Sequence, residues 1–296
     1  MDNPLISIIT VNFNGFDDTA ALLGDLAVLS YSPVEVWIVD NGSTQEARWD
    51  ELQSQYPDFH FVFSKENLGF AGGNNLAARK ATGKYQLYIN NDTRVTPDFL
   101  TPLVEQAEAH EDFGMSSPLL VYEKPENLVQ YAGAPDLNPL TMRNPSDRYQ
   151  TPDPKAYDFI EPTGFIHGAA MLVSAKAIAQ CGLMDDRFFL YYEEYDWCQR
   201  IKDAGYSIWF VGKSKVIHKE SAAVGANSPL KWYYMTRNRL FFIRKNYRGM
   251  TKISSALFTC LVAIPKDLVK ETLSGRFKSL SAILKGATWH ITHSLR

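Results

Sequence analysis

The chain has 296 residues, of which 45% are hydrophobic and 21% charged, with 18 Gly and 15 Pro; a sizeable core is affordable, and disordered, collagen-like and low-complexity classes are excluded. Three cysteines, Cys181, Cys198 and Cys260, are too few and too scattered for a disulfide framework or a zinc knuckle, which suits a reducing compartment. The net charge of −3 conceals a split: from residue 229 onward thirteen basic residues face only Asp267 and Glu271, a balance of +11 against −14 for the preceding residues. Such a split suggests an acidic body and a basic tail that meets something anionic, either a membrane surface or nucleic acid.

In chain order, Leu5 to Val11 is an apolar run of only seven residues without a basic region before it. It reads as a strand rather than a signal peptide, and a cytoplasmic protein is expected. The polar turn Asn12 to Gly15 follows, then a helix near 17–29. The pattern recurs three times: strand 34–39, turn 40–44 and helix 45–55; strand 59–63, a glycine-rich loop and helix 72–81; strand 85–89, turn 90–93 and a helix from Pro97. Strands alternating with helices predict βαβ units and a parallel sheet, whose ligands gather at the carboxyl ends of the strands. All four polar clusters fall there. Residues 120–160, rich in Pro, Asn and Asp, read as a long functional or mobile loop. A strand over 168–173, a helix over 194–204 and one or two strands over 207–217 come next. Helices are then expected over 231–247, 253–273 and 277–293. The apolar run Ile253 to Ile264 ends at Pro265 after twelve residues, short of the roughly 20 that span a bilayer. The chain therefore divides into 1–228 and a basic, amphipathic helical region, 229–296.

Each motif admits a functional and a structural reading. In Asp40-Asn41-Gly42-Ser43 the carboxylate at the sheet edge suits a base N–H or a ribose hydroxyl, and the same four residues make an Asx-turn and helix cap. Asn67 to Asn75 (NLGFAGGNN) opens a helix with three glycines and three amides, where N–H groups attract phosphate; it also serves as a tight strand-to-helix connection. It has neither Rossmann nor Walker spacing. Asn90-Asn91-Asp92-Thr93 offers one firm anion, enough for a hard divalent cation that also holds a diphosphate, or for an ordinary turn. Glu193-Glu194-Tyr195-Asp196 places three carboxylates at a helix start among aromatics. The helix dipole favours acids there, and a desolvated member would serve as general base. His218 ends a strand-like run, where a lone histidine is more often structural than a ligand.

Taken together and in order, TVNFNG, VDNGST, NLGFAGGNN, INNDT, GAAMLVSAKAI, DDRFFLYYEEYDWCQR, IH and YYMTRNRLFFIRK resemble the family 2 glycosyltransferases. The likeness is closest to the rhamnosyltransferase-like branch that builds bacterial surface polysaccharides, and it covers residues 4–248. It implies an α/β GT-A fold, a mixed and mainly parallel sheet flanked by helices, with the C-terminal helices as an appendage. It further implies a nucleotide-diphosphate sugar donor, a divalent metal (Mg2+ or Mn2+) and inverting displacement at the anomeric carbon. By this resemblance Thr10, Asn12 and Asp40 hold the nucleoside, while Asn67, Gly69 and Asn74 line the nucleotide pocket. Asp92 is the direct metal ligand, with Asn90 beside it as a ribose or outer contact, and His218 reaches the metal or diphosphate. Glu194 stands where relatives carry the catalytic base, often an Asp, which leaves Glu193 and Asp196 as alternatives. The implied partners are a glycan or polyprenyl-diphosphate-linked acceptor and the inner face of the cytoplasmic membrane, where the protein is peripheral; a homodimer is open, and nucleic acid is not expected. The competing reading is a catalytically inactive nucleotide-sugar-binding or scaffold protein.

Overall fold

Ile6–Asn12 (β1), rich in β-branched residues and buried on both faces, has the pattern of a central strand in a parallel sheet. Val34–Asn41 (β2) and Tyr85–Ile89 (β4) pair with it in parallel on either side, and His60–Ser64 (β3) pairs with β2 at the edge. The connections are the helices Phe16–Leu26 (α1), Trp49–Gln55 (α2) and Gly69–Ala78 (α3). The computed structural model describes residues 3–45, 47–126, 128–152, 154–220 and 228–294.

Past β4 the sheet becomes mixed. Ala170–Ser174 (β9) runs antiparallel between β4 and Phe113–Tyr122 (β6), and Ser207–His218 (β10) is parallel to β6. The short strand Thr93–Val95 (β5) then returns antiparallel to the end of β10, in a register that sets His218 opposite Thr93. The full order is β3-β2-β1-β4-β9-β6-β10-β5. The helices Leu100–Glu108 (α4) and Ala175–Cys181 (α5) complete the layers around the sheet, with Glu193–Asp203 (α6) leading into β10.

The structure departs from the expected elements in four places. Helix α2 starts at Trp49 rather than 45, whereas α3 starts at Gly69 and takes the glycines into its own first turns. Strand β6 was not anticipated, because Ser116-Ser117-Pro118 interrupts its apolar run. Pro118 has no N–H for the ladder, and the β6–β10 register shifts just beyond it, between Val211 and Lys215. The segment 120–160 is also not one long loop: it contains Val129–Tyr131 (β7) on β6 and leads into Ile160–Pro162 (β8) on β10.

The C-terminal helices are Pro229–Asn246 (α7), Gly249–Phe258 (α8), Ile264–Leu273 (α9) and Phe277–Thr292 (α10). A π-turn over Thr259–Ala263 joins α8 to α9, immediately before Pro265, whose missing N–H and bulky ring oppose a regular α-turn. Helix α7 belongs to the α/β body by its packing. Phe241, Phe242 and Ile243 form a second core with Met142, Phe188 and Tyr192. Helix α10 lies against α7 so closely that a Cβ on Gly286 would come within 2.6 Å of the Tyr233 carbonyl oxygen. Of its expected apolar face, Ile283 is buried and Trp289 packs on the second core. Leu257, Leu261, Val262, Leu273, Phe277 and Leu284 remain exposed. No helix among the described residues is long and apolar enough to cross a membrane.

Candidate active site

The β1–β2 register brings Asn12 opposite Asp40. The Asn12 amide donates to Asp40 Oδ1 at 2.9 Å, and Ser43 Oγ donates to the same oxygen at 2.5 Å. The carbonyl oxygen of Asn12 accepts from Thr19 Oγ1 at 2.9 Å and from the Gly15 N–H at 3.2 Å. Asn12 is therefore spent on holding Asp40, whose second oxygen has no hydrogen bond among the described residues. Thr10 is fully buried, and its hydroxyl has no partner.

The glycine-rich loop is not an open phosphate cradle. The N–H groups of Leu68, Gly69 and Phe70 donate to Asn41 Oδ1, Asn67 Oδ1 and the Phe189 carbonyl at 3.0, 2.8 and 2.6 Å. What the glycines provide is proximity. Gly69 has φ +73°, and a Cβ there would come within 2.2 Å of the Phe189 carbonyl oxygen. Asn74 is buried and donates to the Phe70 carbonyl of its own helix at 2.9 Å. Of the trio expected around the nucleotide, Asn67 and Gly69 thus shape the loop and Asn74 braces the helix.

Asp92 and His218 meet, with Oδ1 and Nε2 separated by 3.1 Å. The antiparallel β5–β10 pairing accounts for the approach. Gln130 on β7 faces the other ring nitrogen, its Oε1 lying 2.7 Å from Nδ1. With the amide oriented that way, Nδ1 donates its proton to Gln130, and the Nε2 lone pair points at a carboxylate oxygen. Two acceptors face one another, an arrangement that closes on a shared proton or a cation. Asn90 Nδ2 stands 3.4 Å from the same Nε2. His167 lies edge-on to His218, and burial lowers its pKa to about 3. Among the described residues no three His, Cys, Asp or Glu side chains gather as a metal site. Asp92 and His218 could supply two ligands, with the remaining positions left to a diphosphate and water.

The acidic helix is presented by a strained turn. Phe189, Tyr191 and Tyr192 all have positive φ, and Tyr192 caps α6 in the left-handed conformation, a state that costs on the order of 1 kcal/mol or more per residue. Helix α7 holds it. Asn238, wholly buried, places its amide nitrogen 2.7–2.8 Å from the carbonyl oxygens of Phe188, Leu190 and Tyr191. Arg237 donates to the Phe188 carbonyl at 2.8 Å and to Asn238 Oδ1 at 2.7 Å.

The three acids of α6 have different environments. Asp196 is fully buried but receives Arg200 and Lys245 at 2.8 Å and Asn246 at 3.0 Å, so both its oxygens are engaged. Glu193 and Glu194 each keep one buried oxygen without a partner. Burial raises Glu193 well above the usual carboxylate range, reinforced by the charge of Glu194, and burial raises Glu194 to about 7. Glu194 keeps partial exposure, whereas Glu193 is buried.

With this geometry in view, the sequence model described as "Glycosyl transferase family 2" matches residues 7–172. The chain belongs to that family. The N-acetylglucosaminyl-diphospho-decaprenol L-rhamnosyltransferase of Mycobacterium tuberculosis is 24% identical over 244 residues, covering 75% of this chain and 78% of the relative. The dTDP-rhamnosyl transferase RfbF of Shigella flexneri is 22% identical over 223 residues, 72% of this chain and 71% of the relative. These relatives set the glycosyltransferase in the rhamnosyltransferase-like branch. A mannosyltransferase from Pyrobaculum calidifontis, solved with GDP-Man and Mn2+, superimposes with a TM-score of 0.61 at 15% identity, over 98% of this chain and 81% of that one. The fold is GT-A.

Gln130, His167, Arg237 and Asn238 were not marked by the sequence reading of this glycosyltransferase. The only signal for the last two is an Arg-Asn pair between the aromatic run Trp232 to Tyr234 and the apolar run Leu240 to Ile243. Asn238→Asp replaces the amide donor with an acceptor facing three carbonyls. It should cost about 2–4 kcal/mol in urea unfolding, and more than Asn238→Ser; equal stability of the two variants would refute the clamp.

Proposed function

We propose that this glycosyltransferase moves a sugar from a nucleoside-diphosphate donor to a hydroxyl of a lipid-linked or glycan acceptor, with inversion, and that Glu194 is the base. Rhamnose from dTDP-rhamnose is the first donor to try, in keeping with the relatives' names. The observation that carries the reading is the desolvated, partly unpartnered Glu193–Glu194 pair, joined through aromatic contacts to the strand edge that holds Asp92 and His218. The two ends are linked by a chain of ring contacts: Tyr195 stacks on Phe165 at 4.1 Å, Phe165 lies edge-on to Tyr131, Tyr131 is tilted against His167, and His167 lies edge-on to His218.

In the step itself the acceptor oxygen attacks the anomeric carbon opposite the leaving group. Its bond to that carbon forms as the bond to the diphosphate breaks, and its proton passes to Glu194. One base suffices, unlike the two carboxylates of retaining glycosidases. Glu194 is preferred to Asp196 because Asp196 is saturated by Arg200, Lys245 and Asn246, and to Glu193 because Glu193 is buried. Asp40, braced by Asn12 and Ser43, is assigned to the nucleoside, with Thr10 behind it. Asp92 and His218 would hold a divalent cation, with Asn90 beside them. When bound, the cation supplies positive charge to the leaving diphosphate. The basic C-terminal helices would dock on the inner face of the cytoplasmic membrane, their exposed Leu261, Leu273 and Phe277 resting in the interface.

Both acids of the pair hold protons more tightly when folded than unfolded. Their contribution to stability is complete below the ordinary carboxylate range and is lost as pH rises through about 7 for Glu194. Activity should run the other way, rising with pH through that value as the base ionises. Glu194→Gln should lower turnover by about 10² or more and flatten that limb, with donor affinity little changed. A normal profile for the variant would move the role to Glu193.

Asp92→Ala should remove the Mg2+ or Mn2+ dependence of dTDP binding in calorimetry and abolish sugar transfer. Unchanged metal dependence would sink the ligand assignment. For the membrane, full-length protein should sediment with phosphatidylglycerol vesicles at low salt, less at high salt, and Leu261→Glu/Phe277→Glu should stay in the supernatant. Equal sedimentation of both proteins would remove the docking claim.

A further inference from the structure

Between α7 and α9, beside Tyr192, lies a cavity of about 250 Å³. That is below the usual size of a whole-ligand pocket, so it suits a head group rather than a complete nucleotide-sugar. Lys231, Arg239 and Lys270 line it together with Trp232, Met235 and Ile264. None of the three cations is in an ion pair among the described residues. Lys231 and Lys270 lie 6.0 Å from the aromatic rings of Tyr191 and Trp232. Arg239 is anchored by its bond to the Thr141 carbonyl. Its Nε–H, and the indole N–H of Trp232, are buried without any acceptor. Buried donors left unpaired are costly and uncommon; two in one wall, among unpaired cations, point to an anionic ligand.

The walls change character from inside to outside. Met235 is exposed on α7, as is the neighbouring Leu230, and Leu261 and Val262 are exposed just before Ile264, so the apolar side of the cavity runs into the apolar surface of the C-terminal helices. On the inner side Tyr192 directly precedes Glu193 and Glu194. Asp267 is the one acid in the lining. Burial raises its pKa against the pull of Arg239, Lys266, Arg143 and Lys270, which limits the charge it sets against an anion.

We propose that this cavity binds the diphosphate of an amphiphilic acceptor, with Lys231, Arg239 and Lys270 on the phosphates, the start of the hydrocarbon chain on Trp232, Met235 and Ile264, and the acceptor sugar passing Tyr192 toward Glu194. The assignment rests on the glycosyl-transfer reading above. It adds a second anion site, separate from the donor's, and gives a role to Lys231, Arg239 and Lys270, which form no ion pair among the described residues. Arg239 is the central contact, because a guanidinium already fixed at one nitrogen loses little freedom on engaging a phosphate.

The test is calorimetry on the full-length protein with farnesyl diphosphate, and with inorganic pyrophosphate as the probe lacking a chain. Farnesyl diphosphate should bind the wild type more tightly than pyrophosphate. Arg239→Gln/Lys270→Gln should weaken it by about tenfold or more, consistent with losing two charge-assisted contacts, Lys270→Arg should retain it, and Asp267→Asn should tighten it. Binding of dTDP with Mg2+ should be the same in all variants, which reports that they are folded. Farnesyl diphosphate binding that dTDP displaces, or that the double variant leaves unchanged, overturns the site. So does a double variant that loses phosphatidylglycerol vesicles as completely as farnesyl diphosphate, since the cations would then be general membrane charges. Transfer is scored separately, as nucleoside diphosphate released from a sugar donor. Release together with cavity-independent binding rejects the site alone, whereas cavity-dependent binding with no release from any donor rejects the acceptor role.

Discussion

The active-site geometry depends on the hold that one helix of the C-terminal region has on the turn before α6. Three residues with positive φ within four positions, Phe189, Tyr191 and Tyr192, would not keep that shape by themselves, because each is disfavoured for a side chain larger than glycine. Asn238 and Arg237 bind the carbonyls that the turn turns inward, and the buried rings of Phe188, Phe241 and Phe242 close over them. Arg237 is itself covered by Tyr234 and Trp289. Burial lowers its pKa from the ordinary arginine value, a cost that the carbonyl bonds offset. The first helix of the basic region is thus structural scaffolding for the acids, whatever the later helices touch.

Charge is distributed in α6 so that neighbouring carboxylates do different work. Asp196 is neutralised by Lys245 and Arg200. Burial alone would raise the nearby Asp185, but Arg187 and Lys245 hold it well below the usual carboxylate range. Lys245 therefore ties α7 to two acids at once. Glu193 and Glu194 receive no such partner, and desolvation raises both. One turn of helix contains a paired anion and two desolvated acids, and the difference lies in the cations that α6 and α7 place opposite each.

The parallel half of the fold was legible in the sequence because β1, β2 and β4 are short apolar runs, each closed by an Asn- or Asp-bearing turn. The other half was not. Strand β6 is broken by Ser116-Ser117-Pro118, and β7 and β8 have three residues each, too few to show a period. In the site, Asp92 and His218 could be singled out, but their contact comes from the antiparallel return of β5 and spans well over a hundred residues of chain. Gln130 could not be read at all, since it lies on β7 inside an apparent loop. Glu194 and Asp196 look alike as letters; only the cations from α6 and α7 separate them. The glycine loop shows the limit from the other side, since its composition suits a phosphate site, yet its first N–H groups are already occupied by Asn41, Asn67 and Phe189.

That last contact has a consequence of its own. The N–H of Phe70, in the glycine-rich loop, is bonded to the carbonyl of Phe189, in the turn that presents the acids, and the absent side chain of Gly69 lets the two backbones touch. Two parts of the site that would handle different substrates share one hydrogen bond. If a ligand on the first part shifts that contact, the second part feels it, and by thermodynamic reciprocity the effect of one substrate on the affinity of the other is the same in both directions. The order in which donor and acceptor arrive would then leave the total binding free energy unchanged while altering which complex accumulates. Any such coupling would depend on glycine at position 69, since a Cβ there would come within 2.2 Å of the Phe189 carbonyl oxygen and part the two backbones.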